Sequence, residues 1–257
     1  MEDVPHMMGE GPPARSERPE RKVPRNTRVY AIGDIHGQLA LLELLHEMIL
    51  DDASRAPEAR KVIVYLGDYV DRGPDSAGVI EQILSEPLRD FEVVCLKGNH
   101  EDLLLRFLTD VSVASVWLTN GGADTLESYG VTAPSFVPVP SELATLQERF
   151  ATQLPASHLA FLEGLSYAHT EGNYVFVHAG MVPGVPLAQQ SPADLMWIRD
   201  EFLYSSEDYG YVVVHGHTPS DDPEVHRNRI NVDTGAFYTG RLTALVLHGE
   251  AVAFLNT

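Results

Sequence analysis

An α/β fold, two sheets packed together and flanked by helices with a helical insertion, is what the sequence predicts. Three observations point to it. An apolar strand-like run, a glycine-flanked polar loop and a helical run follow one another three times between Arg28 and Leu108, the alternation that builds layered α/β sheets. The rhythm stops over residues 111–170, which read as helical. Short strand-like runs then return and continue to the end of the chain.

Residues 1–26 are rich in Pro, Gly, Glu and Arg, carry no apolar period and are expected to form a disordered tail. Order is expected from Thr27, in one domain spanning residues 27–257. Strands are read at Arg28 to Ile32, Val62 to Leu66 and Glu92 to Leu96. Helices are read at Leu39 to Leu50, after a cap at Asp75 or Ser76, and from Asp102 to Leu108. The insertion holds Trp117, the turn Asn120-Gly121-Gly122, a Pro-rich bend at Pro134 to Pro140, and helical stretches at Leu143 to Phe150 and Ser157 to Leu165. Strands follow at Tyr174 to Val177, Tyr211 to Val214, Ile230 to Val232, Leu242 to Leu247 and Ala251 to Leu255; the last group suggests a second, mostly antiparallel sheet.

With 257 residues and 44% hydrophobic content, the chain can fill a full core. The one cysteine, Cys95, cannot form an internal disulfide, so a reducing, cytoplasmic setting is expected. The N-terminus has no signal-peptide pattern, and no apolar run approaches the ~18 residues of a membrane span. A formal net charge of −19 argues against nucleic acid as a partner.

The polar loops carry the chemistry. They read Gly33-Asp34-Ile35-His36-Gly37, Gly67-Asp68-Tyr69-Val70-Asp71-Arg72-Gly73 and Gly98-Asn99-His100-Glu101, joined later by Val177-His178-Ala179-Gly180 and His215-Gly216-His217-Thr218. Asp34 and His36 can reach one cation from one loop. Asp68 can bridge two through its two oxygens, and Asn99 adds a neutral oxygen. His178 and either His215 or His217 complete the set. Mixed nitrogen and oxygen donors suit two divalent ions, Mn²⁺ foremost or Fe or Zn²⁺, better than Ca²⁺. Paired cations ~3.5–4 Å apart lower the pKa of a shared water, whose hydroxide attacks phosphorus directly. His100, beside Asn99, is placed to protonate the leaving alkoxide as general acid, with Asp71 orienting its ring. Arg72 and Arg199 are candidates to clamp phosphate oxygens. The other histidines, His6, His46, His158, His169, His226 and His248, lack such context. Asp233-Thr234-Gly235 reads as a structural turn near the pocket.

These motifs, GDxHG, GDxVDRG and GNHE in order, resemble those of the phosphoprotein phosphatase family of metallophosphoesterases, and its bacterial and phage members most. The resemblance runs from about Val29 to Thr218. It implies a four-layer α-β-β-α metallophosphoesterase sandwich with two mixed central sheets. It also implies Asp34, His36, Asp68, Asn99 and His178 as ligands, His100 with Asp71 as the acid pair, and Arg72 and Arg199 at the phosphate. The similarity of Gly216-His217-Thr218-Pro219 to the family's GHTP points to His217 as the last ligand. The implied activity is that of a phosphomonoesterase acting on a phosphorylated protein or peptide. The alternatives are a symmetrical dinucleoside tetraphosphate hydrolase, which shares the metal core, and a scaffold that binds metal without turnover. The intact Asp71-Arg72-Gly73 and GNHE rather than GNHD favour the first.

Overall fold

The computed structural model describes residues 21–57, 59–85, 88–133 and 140–257. Its strands are β1 (Thr27–Ile32), β2 (Arg60–Tyr65), β3 (Glu92–Cys95), β4 (Ala168–Glu171), β5 (Tyr174–Val177), β6 (Val212–His215), β7 (Glu224–Val225), β8 (Arg229–Asn231), β9 (Thr243–His248) and β10 (Ala251–Asn256). The helices of the first half are α1 (Leu39–Ser54), α2 (Ser76–Leu84), α3 (Asn99–Phe107), α4 (Ala114–Trp117) and α5 (Ala123–Ser128). They are followed by α6 (Pro140–Gln153), α7 (Ala156–Glu163), α8 (Pro192–Trp197), α9 (Asp200–Leu203) and α10 (Ala236–Thr239). Two mixed sheets form, in the orders β10-β9-β1-β2-β3 and β4-β5-β6-β8-β7.

Period-two alternation sorts the strands into layers. Val29 and Ala31 of β1 and Val62 and Val64 of β2 face Phe176, Val212, Val214 and Ile230 of the second sheet. The intervening Tyr30, Ile32, Ile63 and Tyr65 pack on the helices, against Leu42, Leu45 and Ile49 of α1 and Val79 and Ile80 of α2. On the far side, Val175, Val177 and Val213 meet Leu195 of α8 and Phe202 of α9. The four expected layers are therefore present. Parallel strands buried on both faces read as unbroken apolar runs, which is why β1, β2 and β5 stand out in the sequence.

The terminal hairpin differs from expectation. β9 and β10 do not extend a second sheet; β9 pairs antiparallel with β1, Arg28 opposite His248 and Ile32 opposite Ala244, and β10 pairs with β9. Strand β1 is almost wholly buried, so both its edges need backbone partners. β2 supplies one and β9 the other. The second sheet is assembled instead around β5, β6 and β8, which run parallel. Its outer strands β4 and β7, four and two residues long, have too little period to be read from sequence.

Of the expected tail, residues 21–26 are described, and they are held against the domain. Residues 1–20, with His6, Arg15 and Arg18, lie outside the described residues, as do residues 134–139 of the Pro-rich bend. Within 21–26 the Val23 side chain is buried and its N–H donates to the Gly249 carbonyl. Arg21 donates to the carbonyls of His226 and Arg227 at 2.6 and 2.7 Å. Cys95 is half-buried, and burial pushes its thiol up to about 12, leaving it protonated and unreactive. Among the described residues no helix is long and apolar enough to cross a membrane.

His46 on α1 is buried, with Nε2 2.8 Å from the Tyr65 hydroxyl. Burial lowers its pKa from 6.5 to about 4. The folded state holds the ring neutral while the unfolded chain protonates it near its ordinary value. Its stabilising effect is thus complete above pH 6.5 and is lost as the pH falls toward 4. In urea unfolding, His46→Gln is expected to gain on the unsubstituted chain by roughly 2–3 kcal/mol across that window. Parallel pH profiles would refute the assignment.

Candidate metal centre

Each polar loop leaves the carboxyl end of a strand, where parallel sheets present their ligands. The loops are tightly wound. Of the six described non-glycine residues with positive φ, five are motif residues: His36, Asp68, Asp71, Arg72 and His217. A left-handed backbone is unfavourable for such side chains and persists where surroundings enforce it, often at working sites. At Asp68 the enforcing group is Glu101. Its buried carboxylate accepts N–H bonds from Gly98 and Asp68, both at 2.9 Å, from Tyr69 at 2.8 Å and from Val70 at 3.3 Å. Gly98 is needed at this seam, because a Cβ there would meet the Asp68 carboxylate at 2.1 Å. Helix α3 starts at Asn99 rather than at Asp102, so Asn99, His100 and Glu101 all occupy its first turn. The Gly98–Glu101 spacing is that of a capping box, the signal by which the role of Glu101 could have been found.

The Asp68 carboxylate is the hub. Its Oδ2 lies 3.6 Å from His36 Nε2, 3.8 Å from His100 Nε2 and 3.5 Å from His178 Nε2. His178 Nε2 in turn lies 3.0 Å from Asn99 Oδ1 and 3.2 Å from His217 Nδ1. Asp34 joins from the other side, both of its oxygens accepting the His217 backbone N–H at 3.1 Å. Two compact groups result, His36–Asp68–His100 and Asp68–His178–His217, with ligand atoms inside 4.8 Å of one another and Asp68 in common. The six expected ligands, Asp34, His36, Asp68, Asn99, His178 and His217, are all buried here together.

The hydrogen bonds prepare this set for cations. His36 Nδ1 donates to the Val70 carbonyl and His178 Nδ1 to the Leu66 carbonyl, each at 2.9 Å. The bare Nε2 of each ring then faces Asp68, the usual second hydrogen bond of a ligating histidine. His217 Nε2 is buried with no partner. Burial holds His36 and His217 well below the ordinary histidine range and His178 at about 3, so all three rings are neutral. Burial, with neighbouring carboxylates, holds Asp34 and Asp68 well above theirs. Crowded carboxylates beside neutral imidazoles favour divalent cations over protons. Asp68, set between His36 on one side and His178 with His217 on the other, fits a position shared by a pair of such ions, and the site can hold a dimetal centre beside His100.

His100 Nδ1 lies 2.7 Å from Asp71 Oδ2. Burial raises Asp71 to about 8 and lowers His100 to about 3. The pair therefore acts as one neutral unit, and Nε2, on the Asp68 side, carries the N–H. Arg72 Nη1 reaches His36 Nε2 at 3.0 Å, its guanidinium 4.9 Å from the centre of the Phe237 ring. Arg199, at the rim, donates to the Thr218 hydroxyl at 3.1 Å. Trp197, 40% exposed, stands edge-on to His217 with centroids 6.2 Å apart.

Other candidates fall elsewhere. His215 is turned away, its ring against Phe202 and its nitrogens toward the Gly216 carbonyl and Arg229. His158 bonds the Tyr129 hydroxyl and Glu81, and His226 bonds Glu224. His169 lies 3.6 Å from Glu171 and His248 bonds the Thr27 carbonyl. Asp233 is closer to the chemistry than a plain turn residue. It is buried, accepts the Gly235 N–H at 2.9 Å and helps raise Asp34.

Comparison with known proteins agrees with this geometry. The family model described as calcineurin-like phosphoesterase matches residues 27–249. A Bacillus cereus protein named bis(5'-nucleosyl)-tetraphosphatase PrpE [asymmetrical] is 30% identical over 233 residues, covering 83% of this chain and 88% of that protein. A solved structure presented as a candidate diadenosine tetraphosphatase superposes with a TM-score of 0.57 at 23% identity, over 90% of this chain and 94% of the other. A cold-active protein-tyrosine phosphatase from a psychrophilic Shewanella gives the same TM-score at 15% identity, over 99% and 88%, a likeness of fold. The two-sheet sandwich, the paired histidine–carboxylate groups at its strand ends and the match along nearly the whole chain agree, and the chain belongs to the calcineurin-like phosphoesterase family, the metal-dependent phosphoester hydrolases.

Proposed function

We propose that this chain is a phosphomonoesterase for esters with poor leaving groups, phosphorylated protein or peptide side chains being the substrate class. The observation that carries the reading is the His100–Asp71 pair, buried and bonded at 2.7 Å beside the metal groups. Alkoxide leaving groups need a proton as the P–O bond breaks, and a positioned imidazole supplies it. Asp34, His36, Asp68, Asn99, His178 and His217 would hold two divalent ions, Mn²⁺ foremost. Such ions supply Lewis acidity toward the phosphoryl oxygens and lower the pKa of bound water. Arg72 and Arg199 bind non-bridging oxygens from opposite ends of the cluster, near His36 and His217 respectively. His100 passes its Nε2 proton to the leaving oxygen, and Asp71 stabilises the ring's orientation throughout.

A second reading is asymmetrical cleavage of a dinucleoside tetraphosphate. The names of relatives 30% identical over most of their length favour it, and the exposed Trp197 ring offers a nucleobase a stacking surface. The symmetrical variant weighed from sequence differs in products. Symmetrical cleavage yields two nucleoside diphosphates, and asymmetrical cleavage a triphosphate and a monophosphate.

Turnover of phosphoserine, phosphothreonine and phosphotyrosine peptides and diadenosine tetraphosphate with Mn²⁺ tests both readings. Peptide turnover is expected to exceed that of the dinucleotide, and chelator to abolish both. Preference for the dinucleotide, with mono- and triphosphate products, would replace the first reading by the second.

His100→Asn is expected to keep its metal yet lose about 10²–10⁴-fold in kcat on alkyl and phenyl phosphates, and far less on 2,4-dinitrophenyl phosphate. Equal losses would remove His100 as proton donor. Asp68→Asn is expected to hold fewer than two ions per chain by elemental analysis; two would end the bridging assignment.

A further inference from the structure

We propose that Trp117 and Thr125, on the short helices α4 and α5, are positioning residues for the general acid. They fix the Asp71 carboxylate and through it the His100 ring. The inference rests on the reading of His100 as proton donor and extends it into a segment the sequence presents as a mere insertion.

The hydrogen-bond accounting around Asp71 is complete. Oδ2 and His100 Nδ1, 2.7 Å apart, share one proton, and Oδ1 accepts from the Thr125 hydroxyl at 2.6 Å. The Trp117 indole N–H lies between the two oxygens, 3.1 and 3.2 Å away. The Asp71 backbone N–H donates to the Thr125 and Ser76 hydroxyls at 2.9 and 3.0 Å. The Ser76 and Thr125 hydroxyls are themselves 3.0 Å apart. Thr125 has already given its proton to the carboxylate, so it accepts from Ser76. One hydroxyl thereby holds both the backbone and the side chain of a residue at φ 71°. A carboxylate with no exposed surface and this many fixed donors has one orientation, and the imidazole bonded to it inherits that orientation.

Packing holds the two donors in turn. Trp117 is fully buried against Phe107 of α3 and Phe150 of α6, with centroids 4.7 and 5.6 Å apart. The turn Asn120-Gly121-Gly122 is what lets this segment approach. A Cβ on Gly122 would come within 2.5 Å of the Trp117 ring, and one on Gly121, at φ 103°, within 2.5 Å of the Arg72 nitrogen. The Gly121 carbonyl accepts the Arg72 N–H at 3.2 Å. The same segment therefore braces Asp71 by side chains and Arg72 by backbone.

The test compares Thr125→Val, Thr125→Ser and Trp117→Phe with His100→Asn, in the full chain supplied with Mn²⁺. Thr125→Val and Trp117→Phe are expected to lose about 10–100-fold in kcat on phenyl phosphate and phosphoserine peptide, as support groups around active centres do. Loss on 2,4-dinitrophenyl phosphate should be less than about threefold, with KM and metal content held. Thr125→Ser keeps the hydroxyl and should recover most of the rate. Independently of turnover, the low-field imidazole N–H proton signal that vanishes in His100→Asn should shift in Thr125→Val and return in Thr125→Ser. A uniform loss across leaving groups, or none, overturns the positioning role while leaving the acid intact, provided His100→Asn still discriminates between leaving groups. If His100→Asn does not discriminate, the acid reading falls and this inference with it. Should Trp117→Phe fail to fold, the Thr125 pair decides the question alone.

Discussion

The Glu101 carboxylate fastens the second polar loop to the third, and the rest of the site depends on that bond set. Four backbone N–H groups, from Gly98, Asp68, Tyr69 and Val70, converge on its two oxygens. Burial pushes Glu101 up to about 7, and the four N–H bonds pull the other way. Without this acceptor, buried amides in two loops, one of them left-handed at Asp68, would have no partner, and desolvated amides are costly to leave unpaired. With it, Asp68 is set between His36 and His178, Asn99 falls on the first turn of α3, and His100 follows it facing Asp71. A single side chain thus converts two separate strand ends into one rigid ligand array.

Electrostatics explain why the array is built of neutral rings and crowded acids. Asp34 and Asp68 share one buried neighbourhood with Asp233 and Glu101, and each is held above the usual carboxylate range. Carboxylates so placed are poorly satisfied by the two nearby guanidiniums alone, because Arg199 sits at the rim on Thr218 and Arg72 beside Phe237. Divalent ions answer that imbalance directly, and they need the unprotonated Nε2 atoms that the Val70 and Leu66 carbonyls have oriented. The overall charge of −19 is compatible with a phosphate site because Arg72 and Arg199 stand beside the histidine cluster.

Much of this could be read in the sequence, for physical reasons that also mark where reading stopped. Glycine-flanked loops after buried parallel strands identify themselves, since apolar runs and special turns are local signals. Asp34, His36, Asp68, Asn99, His178 and His217 therefore stand out, and their side chains meet at one place. The pairing of β9 with β1 was not found, because it joins residues more than 200 positions apart and leaves no local trace. Glu101 was visible within its motif, yet its work is on the backbone of another loop. Thr125 and Trp117 lie 54 and 46 residues from the Asp71 they bond. A threonine within a short helix and a buried tryptophan look like ordinary packing until the chain has folded.

The division of labour between the two halves of the molecule follows from the same geometry. The strand ends supply the groups that would hold cations, and Asp34, His36, Asp68 and His178 among them are tied to a backbone carbonyl or amide of a neighbouring segment. The helical segment from α4 to α5 touches none of those ligands through its hydrogen bonds; its bonds go to Asp71, to the Arg72 backbone and to Ser76 and Ala77 of α2. Metal affinity and proton donation can therefore vary separately, one through strand-end residues and the other through the insertion. Where the proposed substrate is a phosphate ester and a 30% identical relative is named for a nucleotide anhydride, that separation matters. An anhydride leaves as a stable phosphate anion and gains little from an acid, whereas an alkoxide depends on one. In the proposed reading, the fully bonded Asp71, with its neutral donors and its glycine-seated tryptophan, serves the second kind of bond.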